Sequence, residues 1–339
     1  MPIRVKLFGS YSAQARARQF PDGKPTWGHC EFIFDVDCRD YDWLVIYTDL
    51  PSTHSCEQLA CPKEQTLLVT TEPSTIKIYG SCYTGQFGAV LTSQAEWALP
   101  HRRRIFSQPA LQWFYGVGRD YQLSYDQMMS SPPLAKTETL STVCSSKQHR
   151  HTLHNRRYRF TQKLKSLIPE MEIFGQGVRP IDDKAEALDD YRYHLTIENF
   201  IGPHHWTEKL ADAFLGATLP FYSGCPDAAD YFPPESFIPI DINDVDGTAE
   251  IIKNAILNNE YEKRLPHILE ARRLVLEKYN LFSVLSREIE QRNRPFVKPI
   301  EEGYIYSIRE LRSQSPLIAI RHLYEKCRQR IYYLGNYFN

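Results

Sequence analysis

The chain has 339 residues, material for about two domains of roughly 100–200 residues each, and its 42% hydrophobic and 24% charged content is that of a soluble globular protein. Forty basic residues against 41 acidic ones leave a formal net charge of −1, which removes the bulk electrostatic case for a nucleic-acid partner. The opening stretch MPIRVKLFGSYS lacks the apolar run of a signal peptide, and nothing in the chain approaches the roughly 18 apolar residues of a spanning helix, so the expectation is cytoplasmic residence.

Ile3 to Phe8 alternates apolar and polar residues and runs into Gly9-Ser10, the pattern of a first strand and its turn in a Rossmann-like domain. Further strands are predicted at Phe32–Phe34, Trp43–Tyr47, Thr66–Thr70 and Val90-Leu91, with Gln112–Tyr115 continuing the pattern less clearly. Trp43–Tyr47 and Thr66–Thr70 are nearly continuous apolar runs, as suits parallel strands covered on both faces. Each ends in polar residues, Thr48-Asp49 and Thr71-Glu72, where the carboxyl edge of a parallel sheet carries a site. The irregular stretch 116–136 sets a domain boundary near 135. The eight cysteines are scattered through a chain too long to need disulfide staples, and Cys56 and Cys61, with four residues between them and no second pair, make a poor zinc signal.

Thr139–Cys144 opens a second α/β domain, followed by a helix carrying Phe160, Leu164, Leu167 and Ile168 and a strand at Met171–Gly175. The cationic run before that helix, with Arg150, Arg156, Arg157 and Arg159, reads on its own as a solvated helix start or a polyanion patch. Next comes the most informative stretch, Tyr191 to Pro226. Tyr193, Leu195 and Ile197 alternate as a strand that Glu198-Asn199 ends, and Gly202-Pro203 breaks the backbone. Thr207 fits a helix N-cap, Glu208 in the first turn complements the helix dipole, and Gly216 closes the helix before the strand Thr218–Tyr222. This is one βαβ unit, whose loop and helix start suit an anionic group, with Lys209 adding a full positive charge. It lacks both glycine-rich nucleotide fingerprints. An amphipathic stretch at 249–257 and a charged helix at 261–279 follow. The tail, PLIAIRHLYEKCRQRIYYL, puts Leu317, Ile320, Leu323, Tyr324, Cys327 and Ile331 on one helical stripe, with Arg321, Lys326, Arg328 and Arg330 largely off it and Tyr332, Tyr333, Tyr337 and Phe338 at its end. Such a helix either packs back on the body or lies on anionic lipid.

The order and spacing of Glu198-Asn199, Thr207-Glu208-Lys209 and Pro220-Phe221-Tyr222-Ser223-Gly224 resemble the donor-site signature of the α1,3/α1,4-fucosyltransferase family. The resemblance implies an α/β fold of the GT-B type, two Rossmann-like domains with a cleft between them, inverting transfer from GDP-fucose to a hydroxyl of a glycan acceptor, and no metal or other cofactor. It implies donor-binding roles for Glu198, Asn199, His205, Thr207, Glu208 and Lys209. His205 stands where bacterial members carry a Tyr. The family's arginine, on the helix after the first donor-domain strand, falls best on Arg157, with Arg156 the neighbouring choice; a guanidinium there would hold the diphosphate and stabilise charge developing on it. Glu72 corresponds to the family's general base. Bacterial members also resemble this chain in a basic amphipathic tail, implying possible peripheral contact with the inner face of the membrane.

These readings combine into an acceptor domain over 1–135, a donor domain over 136–297 and a tail over 298–339. Other readings stay open: a GT-B transferase of another nucleotide-activated sugar, a non-catalytic nucleotide-sugar or glycan-binding module, or a metal-dependent GT-A enzyme using the triplets Asp35-Val36-Asp37 or Asp244-Val245-Asp246.

Overall fold

The computed structural model describes residues 1–9, 17–109, 111–145, 153–297 and 303–336. Ser10, Arg150, Tyr337 and Phe338 lie outside the described residues. The chain divides into two compact units, one made of Met1–Ala110 with Leu281–Asn339 and the other of Leu111–Asn280.

The first unit carries strands β1 (Ile3–Phe8), β2 (Thr26–Trp27), β3 (Cys30–Ile33), β4 (Trp43–Tyr47), β5 (Cys56–Gln58), β6 (Thr66–Val69), β7 (Ala89–Thr92) and β8 (Arg104–Phe106). Seven of them form one sheet in the order β2-β3-β1-β4-β6-β7-β8, parallel throughout except where β2 meets β3. The apolar runs in β4 and β6 send alternate residues to two cores, as a two-residue side-chain period requires. Trp43, Val45, Leu67 and Val69 enter one core, and Leu44, Ile46 and Leu68 enter the other, where a short helix α1 (Ser81–Thr84) contributes Tyr83.

The second unit begins with α2 (Tyr125–Ser130) and builds a five-stranded, all-parallel sheet from β9 (Glu138–Val143), β10 (Glu172–Phe174), β11 (Tyr191–Ile197), β12 (Leu219–Ser223) and β13 (Ile238–Pro239), in the order β10-β9-β11-β12-β13. Helices α3 (His154–Leu167) and α5 (Val245–Leu257) cover the face bearing Leu140, Tyr193, Leu195 and Phe221. Helices α4 (Glu208–Leu215) and α6 (Glu260–Glu277) share the core that takes in Tyr222 on the other face. This is a doubly wound unit whose strand order reverses between β9 and β11, so a ligand crevice is expected beyond the carboxyl ends of those two strands.

Both boundaries differ from those read in the sequence. Gln112–Tyr115 is not a strand and belongs to the second unit: Trp113 and Tyr115 lie in its core, and the Phe114 and Tyr115 N–H groups both donate to Asp212 at 3.1 Å. At the other end, the chain returns to the first unit from Leu281 onward rather than after 297. There, α7 (Leu281–Arg292) buries Leu281, Phe282, Val284, Leu285 and Ile289 against the first sheet, and Phe282 stacks on Phe20 at 3.7 Å. Strand β14 (Tyr304–Tyr306) pairs with β5, and α8 (Ile308–Gln314) buries Ile308 and Leu311 in the second core of that unit. The C-terminal segment thus covers both faces of the first sheet, a long-range pairing that no local pattern announces.

The last helix, α9 (Pro316–Asn336), packs on this unit, but not through its apolar stripe. Its inward face is His322, Glu325, Gln329 and Tyr333, spaced at three, seven and eleven residues. Glu325 accepts from the Ser81 N–H and hydroxyl, Gln329 donates to the Ala98 carbonyl at 2.7 Å, Tyr333 meets Ser74, and Trp97 stacks beside Tyr332 and Tyr333. Leu317, Ile320, Leu323, Tyr324, Ile331 and Leu334 face outward, Leu317 at 77% exposure. Among the described residues no helix is long and apolar enough to cross a membrane.

Because Phe282 stands in the centre of a core far from it in sequence, Phe282→Ala is expected to destabilise the first unit by about 3–5 kcal/mol. Urea denaturation followed by circular dichroism reads this; a midpoint equal to that of the wild type would remove α7 from that core.

Candidate functional site

β11 and α4 are joined by a buried carboxylate. Glu198, just past the last residue of β11, is fully buried and accepts two hydrogen bonds from Thr207, from its N–H at 2.8 Å and its hydroxyl at 2.6 Å. Thr207 is in turn the N-cap of α4, its hydroxyl oxygen accepting from the Lys209 N–H at 3.4 Å and the Lys209 ammonium at 3.1 Å. Gly224, at the end of β12, is what leaves room: a Cβ there would stand 2.4 Å from Glu198 Cγ. Gly216 has a similar reason, since it sits at φ −75°, and a Cβ would stand 2.5 Å from Leu188 Cβ; the left-handed residue at this helix end is Ala217.

A cavity of about 450 Å³ opens at the switch point. Its upper wall is Val143 at the end of β9 and Ser145 beyond it, Ile197 at the end of β11, Arg157 from α3, and Glu208 and Lys209 from the first turn of α4. It continues along β11 past Thr196 to His194, facing Phe114, Ile181, Lys184, Leu188 and Asp212. The positive end of the α4 dipole therefore points into a cavity that also carries three cationic side chains.

The cations are held differently. Lys209 lies 3.0 Å from Glu208 and 3.5 Å from Glu198, and Lys184 lies 2.6 Å from Asp212 and 4.0 Å from Glu208. Burial works against the Lys209 charge, but the two glutamates raise its pKa above the ordinary lysine value. Glu208 is also penalised by burial, yet Lys209 and Lys184 hold it at about 2. Burial raises Glu198 above the ordinary carboxylate range, with Lys209 pulling the other way. Removing Lys209 would strand two carboxylates, at a cost on the order of 3–5 kcal/mol. Arg157 differs from both lysines: its guanidinium donates to Asn199 Oδ1 at 2.8 Å and to the carbonyls of Ile197 and Val143 at 3.3 and 3.4 Å, all neutral oxygens. It has no carboxylate in ion-pair range among the described residues. Its neighbour Arg156 is exposed and bonds Asn243, so only Arg157 faces the cavity.

Of the donor-side residues read in the sequence, Arg157, Glu208 and Lys209 line the cavity. Asn199, Glu198 and Thr207 stand behind them and position them. His205 is buried edge-on against Phe200, with ring centroids 5.3 Å apart, and does not line the cavity; burial and Lys209 lower its pKa to about 3. The sequence reading missed Lys184, Asp212, His194 and Thr196. Asp212 and Thr196 had no distinguishing pattern, but a His inside an apolar strand was a signal.

In the first unit, Glu72 follows β6 at the carboxyl edge of the sheet, with an exposed side chain. Burial lowers the pKa of neighbouring Lys77, against the pull of Asp49 and Glu72. Thr48, at the end of β4, holds φ 79°, costly for a β-branched residue, and its hydroxyl meets that of Thr71 at 3.3 Å. The aspartate triplets serve local turns: Asp244 caps α5 by accepting from the Gly247 N–H, and Asp35 accepts from the Asp37 N–H, both at 2.9 Å. No disulfide joins any of the eight cysteines, all of which lie among the described residues.

Residues 134–262, which span this βαβ unit and the strands around it, match the family model of glycosyltransferase family 10 (fucosyltransferase), C-terminal domain. The matched residues lie within the second unit. The chain is 36% identical over 92 residues to an α-(1,3)-fucosyltransferase, FucT, of Helicobacter pylori, covering 25% of this chain and 19% of that protein. It is 30% identical over 119 residues to the 3-galactosyl-N-acetylglucosaminide 4-α-L-fucosyltransferase FUT3 of Pan troglodytes, covering 32% of this chain and 30% of that one. The match therefore spans less than a third of either relative. A crystal structure of an α1,3-fucosyltransferase overlays with a TM-score of 0.51 at 17% identity, covering 87% of this chain and 93% of that one. That likeness is one of fold, the GT-B class of two Rossmann-like domains, and the two parallel sheets of this chain fit it.

Glu208 gives the second unit a pH signature. Its folded pKa lies below its ordinary value of 4.5, so the ionised carboxylate adds stability that is fully present above about pH 4.5 and is lost as pH falls toward 2. Glu208→Gln is expected to be less stable than the wild type near neutral pH and to converge with it by about pH 2. Denaturant titrations at fixed pH test this; a gap that does not change with pH would mean the lysines do not hold this carboxylate.

Proposed function

We propose that the chain is an inverting glycosyltransferase that moves L-fucose from GDP-fucose to a hydroxyl of a glycan acceptor. The observation that carries this is Arg157: within the residues matched by the family 10 model, it is a buried guanidinium whose hydrogen-bond partners among the described residues are all neutral, facing a nucleotide-sized cavity beside the start of α4. A diphosphate is the ligand that such a cation, Lys209 and a helix N-terminus can jointly hold. In this reading the acceptor oxygen attacks the anomeric carbon as the bond to phosphate breaks. GDP leaves with the electron pair, Arg157 and Lys209 stabilise its new charge, and Glu72 takes the proton of the attacking hydroxyl. Glu208 is placed to accept from the donor's hydroxyls. These side chains and the helix dipole take the part a divalent cation plays elsewhere, so the reading assigns no metal.

GDP is expected to raise the melting temperature in the presence of EDTA, and Arg157→Ala to weaken GDP binding about tenfold or more. Glu72→Gln should bind GDP as the wild type does while turnover falls by about 10²–10⁴. Stabilisation by UDP but not GDP would move the reading to another sugar nucleotide. Full turnover by the Gln variant would move the base elsewhere.

The same reading takes α9 to the surface of an anionic membrane. Its outward stripe of Leu317, Ile320, Leu323, Tyr324 and Ile331 is flanked by Arg321 and Arg328 on one side and Lys326 and Arg330 on the other, the pattern of an interfacial helix. Replacing Ile320 and Ile331 by Ser touches no packed residue and should abolish co-sedimentation with phosphatidylserine vesicles while leaving turnover of a soluble acceptor intact. Concentration-dependent dimerisation without vesicle binding would instead make the stripe a protein interface.

A further inference from the structure

The lower part of the cavity holds two buried polar groups, the Thr196 hydroxyl and the second ring nitrogen of His194, to which the described residues offer no hydrogen bond. β11 turns His194 and Thr196 to the same face, two residues apart, and both line the cavity. Thr196 is 2% exposed, and its hydroxyl has no hydrogen-bond partner among the described residues. His194 is 6% exposed and uses one ring nitrogen, Nδ1, on Ser141 Oγ at 2.7 Å. The Ser141 hydroxyl donates to the Ala187 carbonyl, which also hydrogen-bonds the ring, and burial keeps the ring neutral; with Nδ1 donating to Ser141 Oγ, Nε2 is left as the acceptor nitrogen. The hydrogen-bond partners of the ring among the described residues are Ser141 and Ala187. Nearby Lys184 and Asp212 are committed to each other at 2.6 Å and do not answer either group.

A buried hydroxyl and a buried lone pair left unmatched destabilise the free protein, and Val and Leu would fill the same space without that cost. Their survival side by side points to a ligand that satisfies both. The walls around them, Phe114, Ile181 and Leu188, are apolar and suit a flat ring, while the diphosphate-binding groups lie at the other end of the same cavity.

We propose that His194 and Thr196 read the nucleobase of the donor. Nε2 accepts from a ring N–H, and the Thr196 hydroxyl donates to the adjacent carbonyl oxygen, the edge that N1–H and O6 of guanine present. This rests on the nucleotide-sugar reading above, and it assigns these two residues the part of specificity determinants.

The test is Thr196→Val, which keeps the shape and removes only the unpartnered hydroxyl, studied in the full chain by calorimetry with GDP and with inorganic pyrophosphate and by thermal unfolding without ligand. The expected result has three parts: an unliganded melting temperature equal to or above that of the wild type, GDP affinity reduced about tenfold, and pyrophosphate affinity unchanged. Unchanged affinity for GDP would overturn the assignment. So would a lower melting temperature with intact GDP affinity, because the hydroxyl would then hold a structural water. A wild type that binds neither ligand would defeat the donor reading itself, a different failure from that of the base-reading pair.

Discussion

The second unit depends on one constraint: a carboxylate buried at the end of a parallel strand must find its hydrogen bonds within a few ångströms. Glu198 finds them on Thr207, nine residues later, and so fixes the loop and the first turn of α4 against β11. That placement aims the helix dipole into the cavity and brings Lys209 within 3.5 Å of the same carboxylate. Gly224 belongs to the same device, because any side chain there would strike Glu198. What looks like a string of polar residues is therefore one interaction seen from several positions.

The site is close to neutral by construction. Lys209 and Lys184 are balanced by Glu198, Glu208 and Asp212, which lets their charges exist in a buried setting without an incoming anion. Arg157 alone of the three cations rests on dipoles. A guanidinium tolerates this better than an ammonium, since its delocalised charge is more weakly hydrated and its planar fork can meet several carbonyl oxygens at once. The division suits a pocket that must be stable when empty and still attract a diphosphate.

The first unit shows a different economy. Its sheet is buried on both faces, but the residues that bury it come from opposite ends of the chain, so that α7, β14 and α8 complete a domain begun nearly three hundred residues earlier. The last helix then reverses ordinary amphipathic logic. Its packed face is His322, Glu325, Gln329 and Tyr333, the last three each matched by a specific partner, which leaves the apolar stripe to face outward.

Local physics was enough for much of this. Alternation in Tyr191–Ile197, the Thr207 cap, the glycines after the helix and strand, and the continuous apolar runs at 43–47 and 66–69 are short-range signals, and the elements they announce are present. The motif spacing likewise pointed to the family. Tertiary structure alone decided what depends on long-range packing: that Arg157 rather than Arg156 faces the cavity, that His205 is buried away from it, and that 112–115 and 281–292 change units. It also decided which side of the last helix is inside, since hydrophobic periodicity identifies a stripe but the partners that compete for the opposite face, Ser81, Ala98 and Ser74, are far away in sequence. His194 and Thr196 show the limit most clearly, because a missing partner is a property of three-dimensional surroundings that no neighbouring residue in the chain encodes.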